Sequence, residues 1–216
     1  KIGPYIPDLR DYDEFREPFL GGGSVSLYVV KKYPDIKIWV NDLYEPLVNF
    51  WQQLQQNGYE LRIQLMQLKS RYPEPLSAKG LFLSSKDYLE HNNEDPLWRA
   101  ISFYIINKCS FSGLTESSSF SAQASDSNFS MKGILKLEWY TQLIKNWEIT
   151  NHSYEKLLDE GSEKTAFVYL DPPYDIKDNL YGSQPQSQPQ PQPQSPPQPP
   201  PPPARGGRGA RRAARY

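Results

Sequence analysis

The hydrophobic pattern changes character twice along the chain. It predicts a short strand at Glu14–Leu20 running into Gly21-Gly22-Gly23, then a helix at Ser24–Lys32 with Ser24 as its cap. A β-branched and aromatic strand follows at Asp35–Val40, ending in Asn41-Asp42, and a helix at Pro46–Gln56. Strand, glycine turn, helix, strand and acid, in that order, open a doubly wound parallel sheet. The next stretch differs. Leu61, Leu65 and Leu68 fit one helix face and Trp98 to Ile106 another, with Pro73, Pro75 and Pro96 read as breakers between them. Residues 58–107 therefore read as a helical insertion. Phe111–Met131 is serine-rich and reads as a loop or hairpin, Leu135–Trp147 as a helix, and Thr165–Leu170 as a buried strand that delivers Asp171.

The pattern stops at about residue 182. Residues 183–216 are Ser/Gln/Pro repeats followed by an Arg/Gly/Ala end, which cannot bury enough apolar surface to offset chain entropy and is expected to be disordered. That tail also hides a charge asymmetry. The whole chain has net charge -1, yet the tail holds five arginines and no acid, leaving residues 1–182 with 19 basic against 25 acidic side chains, about -6. A net acidic body does not advertise nucleic-acid binding, although a local basic groove suffices for it. A single cysteine, Cys109, excludes an internal disulfide and a cysteine-based zinc site, and two histidines exclude a histidine-rich metal centre. With no signal peptide and no apolar run of membrane length, a cytoplasmic protein is expected.

Two stations carry candidate chemistry. In Pro18-Phe19-Leu20-Gly21-Gly22-Gly23-Ser24 the glycines at a strand-to-helix turn let the backbone approach a ligand closely. Asp42 follows Gly21 by 21 residues at the end of the next strand, where an acid can accept both hydroxyls of a ribose. The alternative is a plain tight turn, with Asp42 capping a helix. The second station is Val168-Tyr169-Leu170-Asp171-Pro172-Pro173-Tyr174, where two prolines end a strand and fix a rigid turn just beyond its carboxyl edge. Such a turn suits methylation of an exocyclic amine. The Asp171 carboxylate and the Pro172 carbonyl can accept the amine hydrogens, localising the lone pair toward the methyl group, while Tyr174 stacks on the base. The alternative is an ordinary strand-ending turn.

Four motifs in order, Arg16–Gly23, Asn41-Asp42-Leu43, Asn107–Leu114 and Asp171–Tyr174, make residues 1–182 resemble the Dam-like adenine-specific DNA methyltransferases. The resemblance implies S-adenosylmethionine as cofactor, double-stranded DNA as partner and an adenine flipped out of the duplex. It also implies an α/β Rossmann-like doubly wound sheet formed by residues 1–57 and 133–182, with a target-recognition insertion at 58–132. Phe19, Gly21 and Gly23 would line the cofactor pocket, Asp42 would hold the ribose, and Asp171 with Pro172, Pro173 and Tyr174 would form the catalytic turn. Asn107, Lys108, Phe111, Ser112, Gly113 and Leu114 would lie at the DNA.

The departures from the family are equally specific. Lys108 stands where members usually have arginine, Ser112 where they have asparagine, and Glu116 where members reading GATC have arginine; glutamate there speaks against guanine readout. A Gly-Gly-Lys cofactor motif that normally precedes the first strand is not seen, and the proline-rich tail stands where the family continues its sheet. A family member truncated at both ends is therefore expected, with an exposed sheet edge, weak stability and impaired methyl transfer. The rival reading is a catalytically dead remnant or an interaction protein whose Pro/Gln and Arg/Gly tail binds protein modules or RNA. Methylation of another amine is a third reading, against which Asp at 171 and the Asn107–Leu114 motif favour adenine.

Overall fold

The computed structural model describes residues 5–91, 94–111, 118–159 and 165–173. Four parallel strands, β1 (Glu14–Glu17), β2 (Lys37–Asn41), β3 (Glu148–Thr150) and β4 (Ala166–Val168), form one sheet in the order β3-β2-β1-β4. The registers pair Glu17 with Val40, Arg16 with Val168 and Asn41 with Thr150. β1 is thus the strand on whose two sides the chain winds in opposite directions, as the doubly wound reading required.

Alternation along the strands separates two chemistries. Phe15, Ile38, Val40 and Ile149 join Val25 and Val29 of α1 (Ser24–Lys32) and Val48, Trp51 and Leu54 of α2 (Glu45–Gln56) in one apolar cluster. The other set is polar: Arg16 bonds Glu14 at 3.3 Å and the Leu157 carbonyl at 2.6 Å, its guanidinium lies 4.9 Å from the Trp39 ring, and Lys37 pairs with Glu148 at 3.1 Å.

The described part of the insertion is mostly helical. α3 (Gly58–Arg71), α4 (Pro75–His91) and α5 (Pro96–Cys109) extend the same apolar cluster through Leu61, Leu65, Phe82, Ile101 and Ile105. Each such side chain taken out of water contributes about 2 kcal/mol. α5 is the pivot, because the Phe103 ring packs tilted against Phe50 of α2 at 5.7 Å and the Tyr104 ring stacks on it at 5.9 Å.

Several local expectations are corrected. Pro75 and Pro96 do not break helices; they begin α4 and α5, where a missing N–H has no intrahelical partner to lose. Asp95 caps α5 by accepting from the Leu97 and Trp98 amides. The serine-rich stretch is only in part what was expected: Ser110 and Phe120 form an antiparallel bridge, but most of its described residues are helical. It carries α6 (Ala122–Asn128) and α7 (Met131–Leu135), because Ser121 and Ser130 act as N-caps. Ser24 is not the cap of α1; Gly23 holds that position at φ 64°. The first strand ends at Glu17 rather than Leu20, and β4 is only partly buried, as its place at the end of the strand order dictates. The helix expected over Leu135–Trp147 is restricted to α8 (Leu137–Leu143), and β3 and α9 (Glu155–Asp159) were not foreseen. The tail from 183 lies outside the described residues.

Candidate active site

The carboxyl ends of β1, β2 and β4 bring the two stations to one edge of the sheet. Beyond β1 the Leu20 amide donates to the Asn41 carbonyl at 2.8 Å, and the chain then turns through Gly21 at φ 48° and Gly23 at φ 64°. Left-handed backbone at both points favours glycine. Only Gly23 is also required by space, since a Cβ there would stand 2.8 Å from the Trp51 ring. The Trp51 indole N–H donates to the Gly21 carbonyl at 3.2 Å, so α2 grips the turn from behind. In front the turn is open, with nothing within 4 Å of a Cβ built on Gly21 or Gly22.

Asp42 ties this turn to the next strand. Its Oδ2 accepts from the Gly21 amide at 2.9 Å and its Oδ1 from the Tyr44 amide at 3.0 Å, at the start of α2. Asp42 thus braces the turn against the segment that leads into α2, but it does not cap that helix, whose N-cap is Tyr44 with no side-chain bond. Asn151, beyond β3, donates to the Asp42 and Leu43 carbonyls at 2.8 and 3.1 Å. Beneath lies Asn41, 1 % exposed, which donates to the Pro18 and His152 carbonyls and accepts from the His152 amide and the Thr150 hydroxyl. One buried amide thus pins the ends of β1, β2 and β3. Phe19, half-buried, lies 5.3 Å from the ring of Tyr154.

On the other side of β1 the Tyr169 amide donates to the Arg16 carbonyl at 2.8 Å, continuing the β1–β4 ladder toward Asp171, Pro172 and Pro173, all three exposed at this edge. Glu17 closes β1 between the two stations and is 3 % exposed. Its Oε2 accepts from the Ser26 amide at 3.0 Å and from the Ser26 hydroxyl. Because Gly23 has no side chain to cap α1, Glu17 satisfies the otherwise unpartnered third amide of that helix from the neighbouring strand. Burial pushes the Glu17 carboxyl up to about 7; the Ser26 bonds oppose this, and the charges of Asp171 and Asp42 add to it. Among the described residues no group of three or more His, Cys, Asp or Glu is placed to hold a metal ion.

The structure sets Asn107 and Lys108 in the last turn of α5 and Phe111 just beyond it. Asn107 and Lys108 are half-buried, Phe111 is 69 % exposed, and the Lys108 ammonium lies 5.5 Å from the Tyr104 ring. Burial lowers the Lys108 pKa. Tyr174, Ser112, Gly113 and Leu114 lie outside the described residues, as does Glu116. The residues that sequence reasoning passed over are Glu17, Asn41, Trp51 and Asn151. Glu17 and Asn41 stood inside quoted motifs, but nothing local to Trp51 or Asn151 distinguishes them from ordinary helix and loop positions.

A family model of D12 class N6 adenine-specific DNA methyltransferase matches residues 1–191. The chain is 26 % identical over 169 residues to Type II methyltransferase M.MjaIII of Methanocaldococcus jannaschii, covering 74 % of this chain and 58 % of that protein. It is 23 % identical over 185 residues to DNA N-6-adenine-methyltransferase of Escherichia phage P1, covering 84 % and 23 %. With Type II methyltransferase M.CviBI of Paramecium bursaria Chlorella virus NC1A it shares 24 % over 182 residues, covering 82 % and 65 %. The chain therefore spans less than two thirds of the length of each of these relatives. Together with the glycine turn, Asp42 and the Asp-Pro-Pro end of β4 on one sheet edge, the match over residues 1–191 makes this chain a member of the D12 class N6 adenine-specific DNA methyltransferase family.

Proposed function

We propose that the chain binds S-adenosylmethionine at the carboxyl edge of its sheet and serves methyl transfer to the N6 amine of an adenine turned out of double-stranded DNA. One observation carries this reading: the glycine turn, Asp42 and the Asp171-Pro172-Pro173 segment just past β4 lie along the carboxyl edge of a sheet whose strand order reverses about β1. Ligands of open α/β sheets sit at that reversal. The residues suit this cofactor. The open front of Gly21 and Gly22 admits close approach to backbone, Asp42 offers an acceptor for ribose hydroxyls, and the acidic side chains of Asp42 and Asp171 suit a cationic ligand.

When bound, the cofactor supplies an electrophilic methyl group. The chain's own residues do the rest. Phe19 and the glycine turn line the pocket; the Asp171 carboxylate and the Pro172 carbonyl accept the hydrogens of the target amine and so direct its lone pair; Pro173 holds the turn, and Tyr174 stacks on the base. Residues 1–57 and 133–182 supply this site. The insertion, 58–132, supplies the DNA contacts, through Asn107, Lys108 and Phe111 at the end of α5 and through Ser112, Gly113 and Leu114 after them. The exposure of Phe111 supports a role in filling the stack that a flipped base leaves.

The test is titration of the full chain with S-adenosylmethionine by calorimetry, followed by label transfer from its tritiated methyl group to unmethylated duplex DNA. D171N is expected to bind the cofactor and to lower transfer on the order of 10²–10³-fold. Transfer unaffected by D171N, or label recovered on cytosine or protein instead of adenine N6, would sink the reading.

A further inference from the structure

Glu17 has a place that the cofactor reading above does not use. It stands at the end of the central strand, between the Asp42 and Asp171 stations, nine-tenths and more buried. Its Oε2 takes both Ser26 donors. The charged groups whose fields reach it are Asp171 beyond β4 and Asp42 beyond β2; α1 meets it through the uncharged Ser26. Arg16, next in sequence, is engaged elsewhere, with Glu14 and the Leu157 carbonyl. A lone buried carboxylate flanked by two like charges is costly to ionise, and a cation arriving beside it removes that cost.

We propose that Glu17 discriminates the sulfonium cofactor from its thioether product by releasing a proton to solvent when the cation binds and retaining it when the product does. The inference rests on the S-adenosylmethionine reading of this edge. The two ligands share the same amino-acid and nucleoside parts, so their difference in charge resides at sulfur. Ionised Glu17 attracts the sulfonium and gains nothing from the neutral sulfur. With the carboxyl held at about 7, the free site carries the proton in roughly half of molecules at neutral pH, where a change of ligand charge moves it most. The consequence is a site that favours substrate over product and loses that preference as the pH falls.

The experiment is calorimetric titration of the full chain at pH 7 with S-adenosylmethionine and with S-adenosylhomocysteine, each in two buffers of different ionisation enthalpy, which counts protons without turnover. Cofactor binding is expected to release about half a proton more than product binding. Its affinity should rise by up to tenfold per pH unit below about pH 7 and level off above, while product affinity stays flat. In E17Q the excess proton release and the pH slope vanish, and the cofactor-over-product preference falls about tenfold. S26A, which removes a hydroxyl that stabilises the ionised form, moves the levelling point to higher pH and keeps the test alive should E17Q misfold. Equal proton counts for both ligands, or a levelling point that S26A leaves in place, overturn the inference while the cofactor reading survives; failure of both ligands to bind overturns the two together.

Discussion

The amide of Gly21 donates to the carboxylate of Asp42 at 2.9 Å across 21 residues of chain. This bond joins the turn after β1 to the end of β2, and the second oxygen of the same carboxylate holds the Tyr44 amide. Asp42 is therefore a structural brace, and substitution separates that role from the ribose contact proposed for it. D42N keeps an acceptor for the Gly21 amide and should change stability by less than about 1 kcal/mol, whereas D42A should cost about 1–2 kcal/mol. Both should weaken S-adenosylmethionine binding about ten- to a hundredfold by titration calorimetry. Unchanged affinity in both variants would leave Asp42 as a brace alone.

Three neighbouring glycines should respond differently to alanine. Gly23 combines φ 64° with a Cβ position 2.8 Å from Trp51, so G23A should cost about 2–4 kcal/mol in urea unfolding. G21A, at φ 48° in open space, should cost about 1–2 kcal/mol. G22A meets neither obstacle and should leave stability near wild type while still narrowing the open front of the turn. Equal costs at all three positions would contradict this arrangement.

Glu17 makes stability depend on pH with a definite sign. Its folded carboxyl sits at about 7 against an ordinary 4.5, so the folded state binds more protons than the unfolded state between those values. Its contribution is present in full below about pH 4.5 and is lost as pH rises through 7, by on the order of 3 kcal/mol. Unfolding midpoints measured from pH 5 to 8 should fall for the wild type relative to E17Q, in which this component is absent. A pH profile common to both proteins would remove Glu17 as its source.

Asn41 should be among the most sensitive polar positions. N41A removes the Asn41 bonds to two carbonyls and one amide at the junction of three strands, while the Thr150 hydroxyl keeps the Val40 carbonyl, and should cost about 2–4 kcal/mol. N41D should not rescue it, since a carboxylate cannot donate to the Pro18 and His152 carbonyls. Thermal melts of both variants test this, and a near-native midpoint for N41D would show that the donors are dispensable.

The sequence by itself determined the local grammar of this protein. Glycines after a strand, an acid after the next strand and prolines a few residues past β4 are written in adjacent residues, because backbone freedom and lost donors act within a few positions. Those same residues carried the family resemblance. Where a residue type has two local meanings, the sequence alone chose wrongly. Pro75 and Pro96 could end a helix or begin one, and Ser121 and Ser130 could belong to a loop or cap a helix; the answer depended on whether other helices offered a face to bury. Tertiary structure alone decided the strand order, which sets β4 beside β1 and so brings Asp171 to the edge where Glu17 ends its strand. It alone gave Asn41, Trp51 and Glu17 their partners, since Trp51 reaches Gly21 across 30 residues and Asn41 reaches His152 across 111. Hydrophobic period reports which face of an element is buried, but the group opposite that face is set by how the packed layers close, and the chemistry of this edge belongs to that second level.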